Sequence, residues 1–129
     1  MDAHANRRTP AQRSGDAAED AALAHLQAHG LRPLARNVRF KMGELDLVMQ
    51  DGATVVFVEV RRRSNAGYGS GLDSIDRRKA MRLARAAEAW RQRNPRFAAF
   101  ACRFDVVAFT AELDAPLWVR AAFTLDDLG

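Results

Sequence analysis

Cysteine is nearly absent from this 129-residue chain: Cys102 stands alone, so neither an internal disulfide nor a four-cysteine metal site can be built. Lysine is almost as scarce. Of twenty basic residues only Lys41 and Lys79 are lysine, and all the others are arginine. No apolar run approaches the ~20 residues that span a bilayer. No apolar stretch follows Arg7 and Arg8, so no secretory signal is read. These absences point away from a disulfide scaffold and a membrane protein, and the expectation is a cytoplasmic one.

What the chain does contain is apolar mass and positive charge. Hydrophobic residues make up 48%, enough for one core in one domain. The formal charge of +4 permits nucleic-acid binding without establishing it. Arginine forks suit phosphates, and a GC-rich genome favours arginine codons as well, so composition leaves both causes open.

Residues 1–13 lack apolar periodicity and are expected to be a disordered basic tail ahead of a single domain over 14–129. A helix is expected from Asp16, where Asp16-x-x-Glu19 resembles a capping box. Ala18, Ala22, Leu23 and Leu26 give it one apolar face, and Gly30 then Pro33 mark its end. Strands follow at 34–40, 44–50 and 54–62, the first polar enough for an edge. A loop over 64–72 carries Gly67, Gly69 and Gly71 without the spacing of a phosphate-binding loop; it reads as a flap or a flexible connection. A long helix over 73–93 stops before Asn94-Pro95. Two more strands are expected at 100–109 and 117–125. The predicted order is α-β-β-β-α-β-β.

Asp51-Gly52, between the second and third strands, is a hairpin signal. Taken as a two-residue loop, it sets Glu44 opposite Glu59 and Asp46 opposite Phe57. Asp46 and Glu59 then become diagonal neighbours on one face, about 7 Å apart. The other face, Leu45, Leu47 and Met49 with Val56, Val58 and Val60, is wholly apolar and must be buried. Like charges this close repel, so a bound cation or an arginine partner has to neutralise them. Hard divalent ions accept one or two carboxylates together with water and substrate phosphate. A salt-bridged rim, with Glu59 paired to Arg61 or Arg62, is the plainer alternative.

Gly43-Glu44-Leu45-Asp46-Leu47-Val48 followed by Val56-Phe57-Val58-Glu59-Val60-Arg61 resembles the YraN family of bacterial proteins. Gly15, Glu19 and Ala22, then Arg36-Asn37-x-Arg39, Lys79 with Arg82-Leu83 and Ala87, and Arg103-Phe104-Asp105-Val106-Val107 extend the resemblance over most of the chain. That family is in turn similar to the PD-(D/E)xK superfamily and to archaeal Holliday-junction resolvases. The resemblance implies a restriction-endonuclease-like α/β fold with a central mixed sheet flanked by helices. It implies a nuclease acting on structured or branched DNA, with Asp46, Glu59 and Glu19 as acids for Mg²⁺ or Mn²⁺ and the Val60 carbonyl as a further ligand. Arg61 stands where the signature lysine belongs. Arginine cannot act as a base but can stabilise transition-state charge; Lys79 or Lys41 are possible substitutes for that lysine.

Arg39, Lys41, Arg62, Arg63, Arg77, Arg78 and Lys79 are the expected nucleic-acid-binding residues; Arg77 and Arg78, with Arg82 and Arg85, stud one basic face of the long helix. Junction resolvases act as dimers, so a homodimer is the expectation. Two other readings compete: a nucleic-acid-binding module that kept the fold and lost the chemistry, and a protein-interaction subunit using the last strand. His25 and His29 have zinc-pair spacing but lack a third ligand and the zincin glutamate. Cys102 is expected to pack as a small hydrophobe, Trp118 and Phe123 to pack in the core, and Arg103 and Asp105 to form a structural ion pair.

Overall fold

The computed structural model describes residues 10–63, 76–110 and 116–128. Among these, two α-helices and five strands run in the order α1 (Pro10–Ala28), β1 (Arg32–Phe40), β2 (Gly43–Asp51), β3 (Thr54–Arg63), α2 (Arg77–Arg93), β4 (Ala101–Thr110) and β5 (Leu117–Phe123). The α-β-β-β-α-β-β order read from the sequence is present. No helix among the described residues is long and apolar enough to cross a membrane.

The strands lie in one sheet in their chain order. β3 and β4 are parallel and the other neighbouring pairs antiparallel, so the sheet is mixed. A parallel pair needs a crossover, and α2 supplies it. β3 is therefore central, and its apolar residues have partners on both faces. Leu47, Met49, Val56, Val58 and Val107 pack with Ala22 and Leu26 of α1. Val48, Val55, Phe57 and Phe104 pack with Leu83, Ala87 and Trp90 of α2.

α1 begins at Pro10 rather than near Asp16, so residues 10–13, expected in the tail, form its first turn. Proline suits a first helical position, where its missing N–H costs nothing, and the alanine-rich run carries the helix on. Asp16 is thus inside the helix and does not cap it. The end is as expected. Gly30, at φ 90°, donates to the Gln27 carbonyl and Leu31 to that of Leu26, which closes a Schellman motif. α2 starts behind Asp76, whose side chain accepts the Lys79 amide at 2.8 Å, and Asn94 caps its end. The expected first turn at 73–75 and the glycine loop at 64–72 lie outside the described residues.

β1 is an edge strand, as its polarity suggested, and it tolerates Pro33 for that reason. β5, at the other edge, ends at Phe123; Leu125–Leu128 form a short 3-10 turn instead of strand.

The hairpin differs from its sequence-based register. Asp51 pairs with Thr54, and Gly52-Ala53 is the loop. Gly52 takes φ 60° at the first central position while Ala53 stays out of the left-handed region, the arrangement of a type II′ turn. Every pair moves by two residues: Val48, not Asp46, faces Phe57. A shift of two preserves which face each side chain occupies, so Asp46 and Glu59 still belong together.

A second difference concerns Leu45. It packs in the α2 cluster beside Val48, not with Leu47 and Met49 against α1. In the β1–β2 register Asn37, with φ 53°, sits between the pairs Arg36↔Leu47 and Val38↔Leu45. Asparagine tolerates this left-handed conformation, and the ribbon changes face at that level. Leu45 and Leu47 therefore face opposite layers, and Asp46 stands between them.

Candidate metal and nucleic-acid site

Asp46 owes its position to that twist. The β2–β3 ladder ends at Leu47↔Val58. Beyond it, the Asp46 carboxylate replaces a backbone partner: its Oδ2 accepts the Val60 amide at 2.9 Å. The side chain is thereby fixed to β3 next to Glu59.

Glu59 itself is 7% exposed, one of two charged residues buried in the described core. Lys79, in the first turn of α2, extends its Nζ to 2.9 Å from Glu59 Oε2. The contact is ionic rather than well aligned, since Oε2 accepts no hydrogen bond of good geometry. Asp46, Glu59 and Lys79 line a cleft of about 280 Å³, closed on the strand side by Gly43 and Glu44 and on the helix side by Arg82 and Leu83. Gly43 is what lets β2 and α2 approach: a Cβ there would stand 3.1 Å from the Arg82 carbonyl oxygen.

Two carboxylates at such close quarters do not both ionise freely. The Asp46 carboxyl is pushed up to about 8, first by burial, then by the hydrogen bond and charge of Glu59. The Val60 amide opposes the rise, and the charge of Glu19 adds to it. Glu19 is thus close enough to be felt, but it does not line the cleft with the other two acids. Its Oε1 is 3.4 Å from Arg36 Nε, and the same guanidinium is 2.6 Å from Asp20 and bonds the Asp16 carbonyl. Among the described residues no three Asp, Glu, His or Cys side chains form a metal-binding group. What the fold assembles is a pair.

That pair fits a hard divalent ion. The donors are carboxylate oxygens, one of them buried without a well-aligned hydrogen bond, and the cleft is open to solvent and phosphate. Mg²⁺ commonly takes one or two carboxylates and leaves its other positions to water and substrate.

Arg61 is two residues past Glu59 on β3, half-buried, in register with Ala108. It is not among the described residues lining the cleft, where Lys79 is the cation nearest Glu59. Lys79, named from the sequence both as a nucleic-acid contact and as a substitute for the signature lysine, therefore points to the carboxylates. Of the other basic candidates, Arg39 is highly exposed and 3.8 Å from Glu44. Lys41, Arg62 and Arg78 are exposed, and Arg77 donates to the Leu128 carbonyl. The side chain of Arg63 lies outside the described residues.

Arg77, Arg78, Arg82 and Arg85 border a shallow trough along α2, and Arg82 also forms a wall of the carboxylate cleft. That shared residue joins the acidic site to the basic surface. Sequence reading had it on the helix face without singling it out; its i, i+3 spacing from Lys79 was the available signal.

The remaining candidates are structural. Asp105 is 1% exposed and accepts from Arg103 Nε, Trp118 Nε1 and the Ala121 amide, while Arg103 also binds Asp51 at 2.9 Å. This is the ion pair expected, enlarged into a network that ties β4 to β5 and to the hairpin. Trp118 is half-buried rather than fully inside, with Arg120 over its ring at 4.1 Å. Phe123 is buried and stacks on Phe104. His25 and His29 lie against each other at a tilt and edge onto Trp118, and burial, then the charge of His29, hold His25 below its ordinary value. Cys102 is half-buried against the α2-side core.

Comparison with known proteins gives a consistent relationship. Residues 18–109 match the family described as "Uncharacterised protein family UPF0102". A UPF0102 protein of Pseudomonas entomophila is 58% identical over 113 residues, covering 85% of this chain and 92% of its own. One from Halorhodospira halophila is 53% identical over 117 residues, with 91% of each chain covered. One from Xanthomonas campestris is 48% identical over 116 residues, with 90% and 95% covered.

Proposed function

The chain belongs to the UPF0102 family, and we propose that it is a divalent-metal-dependent nuclease acting on branched or otherwise structured DNA. The observation carrying this reading is the convergence of Asp46 and Glu59 in a cleft whose wall, Arg82, continues into an arginine-bordered trough. A carboxylate pair alone suits a cation; beside a basic track it suits a cation and a phosphodiester together.

In this reading Asp46 and Glu59 hold Mg²⁺ or Mn²⁺. When bound, such an ion polarises the phosphoryl group and makes water a better nucleophile. The protein's own residues do the rest. The Val60 amide orients Asp46. Glu19, locked by Arg36, contributes field rather than a ligand. Arg61, two residues past Glu59 on β3, brings positive charge near the place where the phosphorane-like transition state would develop. Arg39, Lys41, Arg62, Arg63, Arg77 and Arg78 would serve as backbone contacts, which fix position without reading sequence. A homodimer would offer two such clefts to the two strands of a junction.

The test is cleavage of a four-way junction with Mg²⁺ and with EDTA, by the wild-type protein and by Asp46→Asn. Asparagine retains an oxygen for the Val60 amide, so the fold and DNA affinity are kept while cleavage falls on the order of 10³-fold or more. Cleavage by Asp46→Asn at the wild-type rate contradicts the mechanism.

A second reading rests on a specific observation. With Arg61 in place of the signature lysine and Lys79 already neutralising Glu59, the fold would serve as a DNA-binding module without chemistry. Calorimetric Mg²⁺ titration separates the two: a non-catalytic descendant shows no site that depends on Asp46 and Glu59, yet still binds junction DNA in a salt-sensitive way.

A further inference from the structure

We infer that Lys79 is an exchangeable counter-ion: its ammonium holds Glu59 in the ion-free protein and competes with the divalent cation for the same carboxylate. The inference rests on the reading of Asp46 and Glu59 as a cation site. It adds that the protein has its own occupant for that site.

The two acid–base contacts around the site are built differently. Glu19 meets Arg36, whose planar fork is also anchored by Asp20 and by the Asp16 carbonyl. That guanidinium is a fixture, held at several points. Glu59 meets Lys79 at one point, 2.9 Å away and off the axis of a hydrogen bond. The lysine side chain is 39% exposed and that of Glu59 only 9%. The ammonium thus enters from the solvent side of the cleft.

Only the root of Lys79 is fixed. Its amide is bound by the Asp76 cap at 2.8 Å, while its four-carbon stem has rotamers leading back toward water. A buried carboxylate left without a positive partner is costly, so the lysine is needed when no cation is present. A divalent ion on Glu59 Oε2 would need the lone pair that the ammonium now faces, and repulsion between the two cations at that oxygen disfavours joint occupancy. One must leave, and the lysine is the one with a path to solvent beside Arg82.

The probe is Mn²⁺ alone, added to the full-length protein, with free Mn²⁺ counted by electron paramagnetic resonance. Lys79→Met is expected to bind about tenfold more tightly than wild type, the scale of one charge-assisted contact. Lys79→Arg, which keeps the charge, is expected not to gain. Lys79→Gln provides the same comparison should the methionine variant fold poorly. Mn²⁺ should also raise the melting temperature of Lys79→Met by more than that of wild type, because the uncompensated Glu59 gains most from the ion. Asp46→Asn should lose Mn²⁺ binding. Wild-type or weaker affinity in Lys79→Met and Lys79→Gln, with binding still dependent on Asp46, overturns the exchange and leaves the cation site standing. Binding indifferent to Asp46→Asn overturns both.

Discussion

Asp46 and Val60 are joined across the end of the β2–β3 ladder by a side-chain-to-backbone hydrogen bond of 2.9 Å. At this point sheet pairing gives way to a site: the carboxylate that closes the ladder is the one set beside Glu59. Its position depends on the face change at Asn37, so the acid pair follows from strand irregularity as much as from strand order.

The ion-free protein should lose stability as pH rises. The Asp46 carboxyl is raised from about 4 in an unfolded chain to about 8 in the fold. Between those values the folded state holds a proton that the unfolded state has released, so each step upward in pH favours unfolding. Urea titrations at pH 5, 7 and 8.5 should show falling stability in wild type and a flatter profile in Asp46→Asn. Mn²⁺ affinity should rise over the same interval, because the cation binds the deprotonated form.

Asp105→Ala should be among the more damaging single changes. The carboxylate has no exposed surface and receives Arg103, Trp118 and the Ala121 amide. Its loss leaves the Trp118 and Ala121 donors unmatched and Arg103 with Asp51 as its remaining acid partner, at about 3–5 kcal/mol by urea denaturation. Ion affinity of the folded fraction should be unchanged, since the network touches β5 and the hairpin and not the cleft.

Much of this was readable from residues alone. The apolar face of Leu47, Met49, Val56 and Val58 was legible as a buried one, and the stripe Ala80, Leu83, Ala87 and Trp90 identified the α2 face, because burial imposes periodicity. The pairing of Asp46 with Glu59 was legible for the same reason. The hairpin loop was not: Asp-Gly and Gly-Ala both suit tight turns, with glycine first or second, and only the sheet register decides. The face of Leu45 was hidden because a left-handed Asn37 acts from the neighbouring strand. The engagement of Glu19 by Arg36 and of Glu59 by Lys79 joins residues distant in sequence, which local spacing does not specify.

Arg82→Ala and Arg85→Ala together should weaken binding to any DNA sequence alike. If both contact phosphates, the slope of log affinity against log salt should become shallower by roughly one per arginine. Filter binding at several salt concentrations provides the measurement. Arg77 should contribute less, since its guanidinium is already bonded to the Leu128 carbonyl.

The most direct test of the account is a crystal soaked in Mn²⁺ and measured at the manganese absorption edge. The account predicts one anomalous peak within coordination distance of both the Asp46 and Glu59 carboxylates. Ordered carboxylates with no peak between them at saturating Mn²⁺, or a peak on other residues alone, would contradict it.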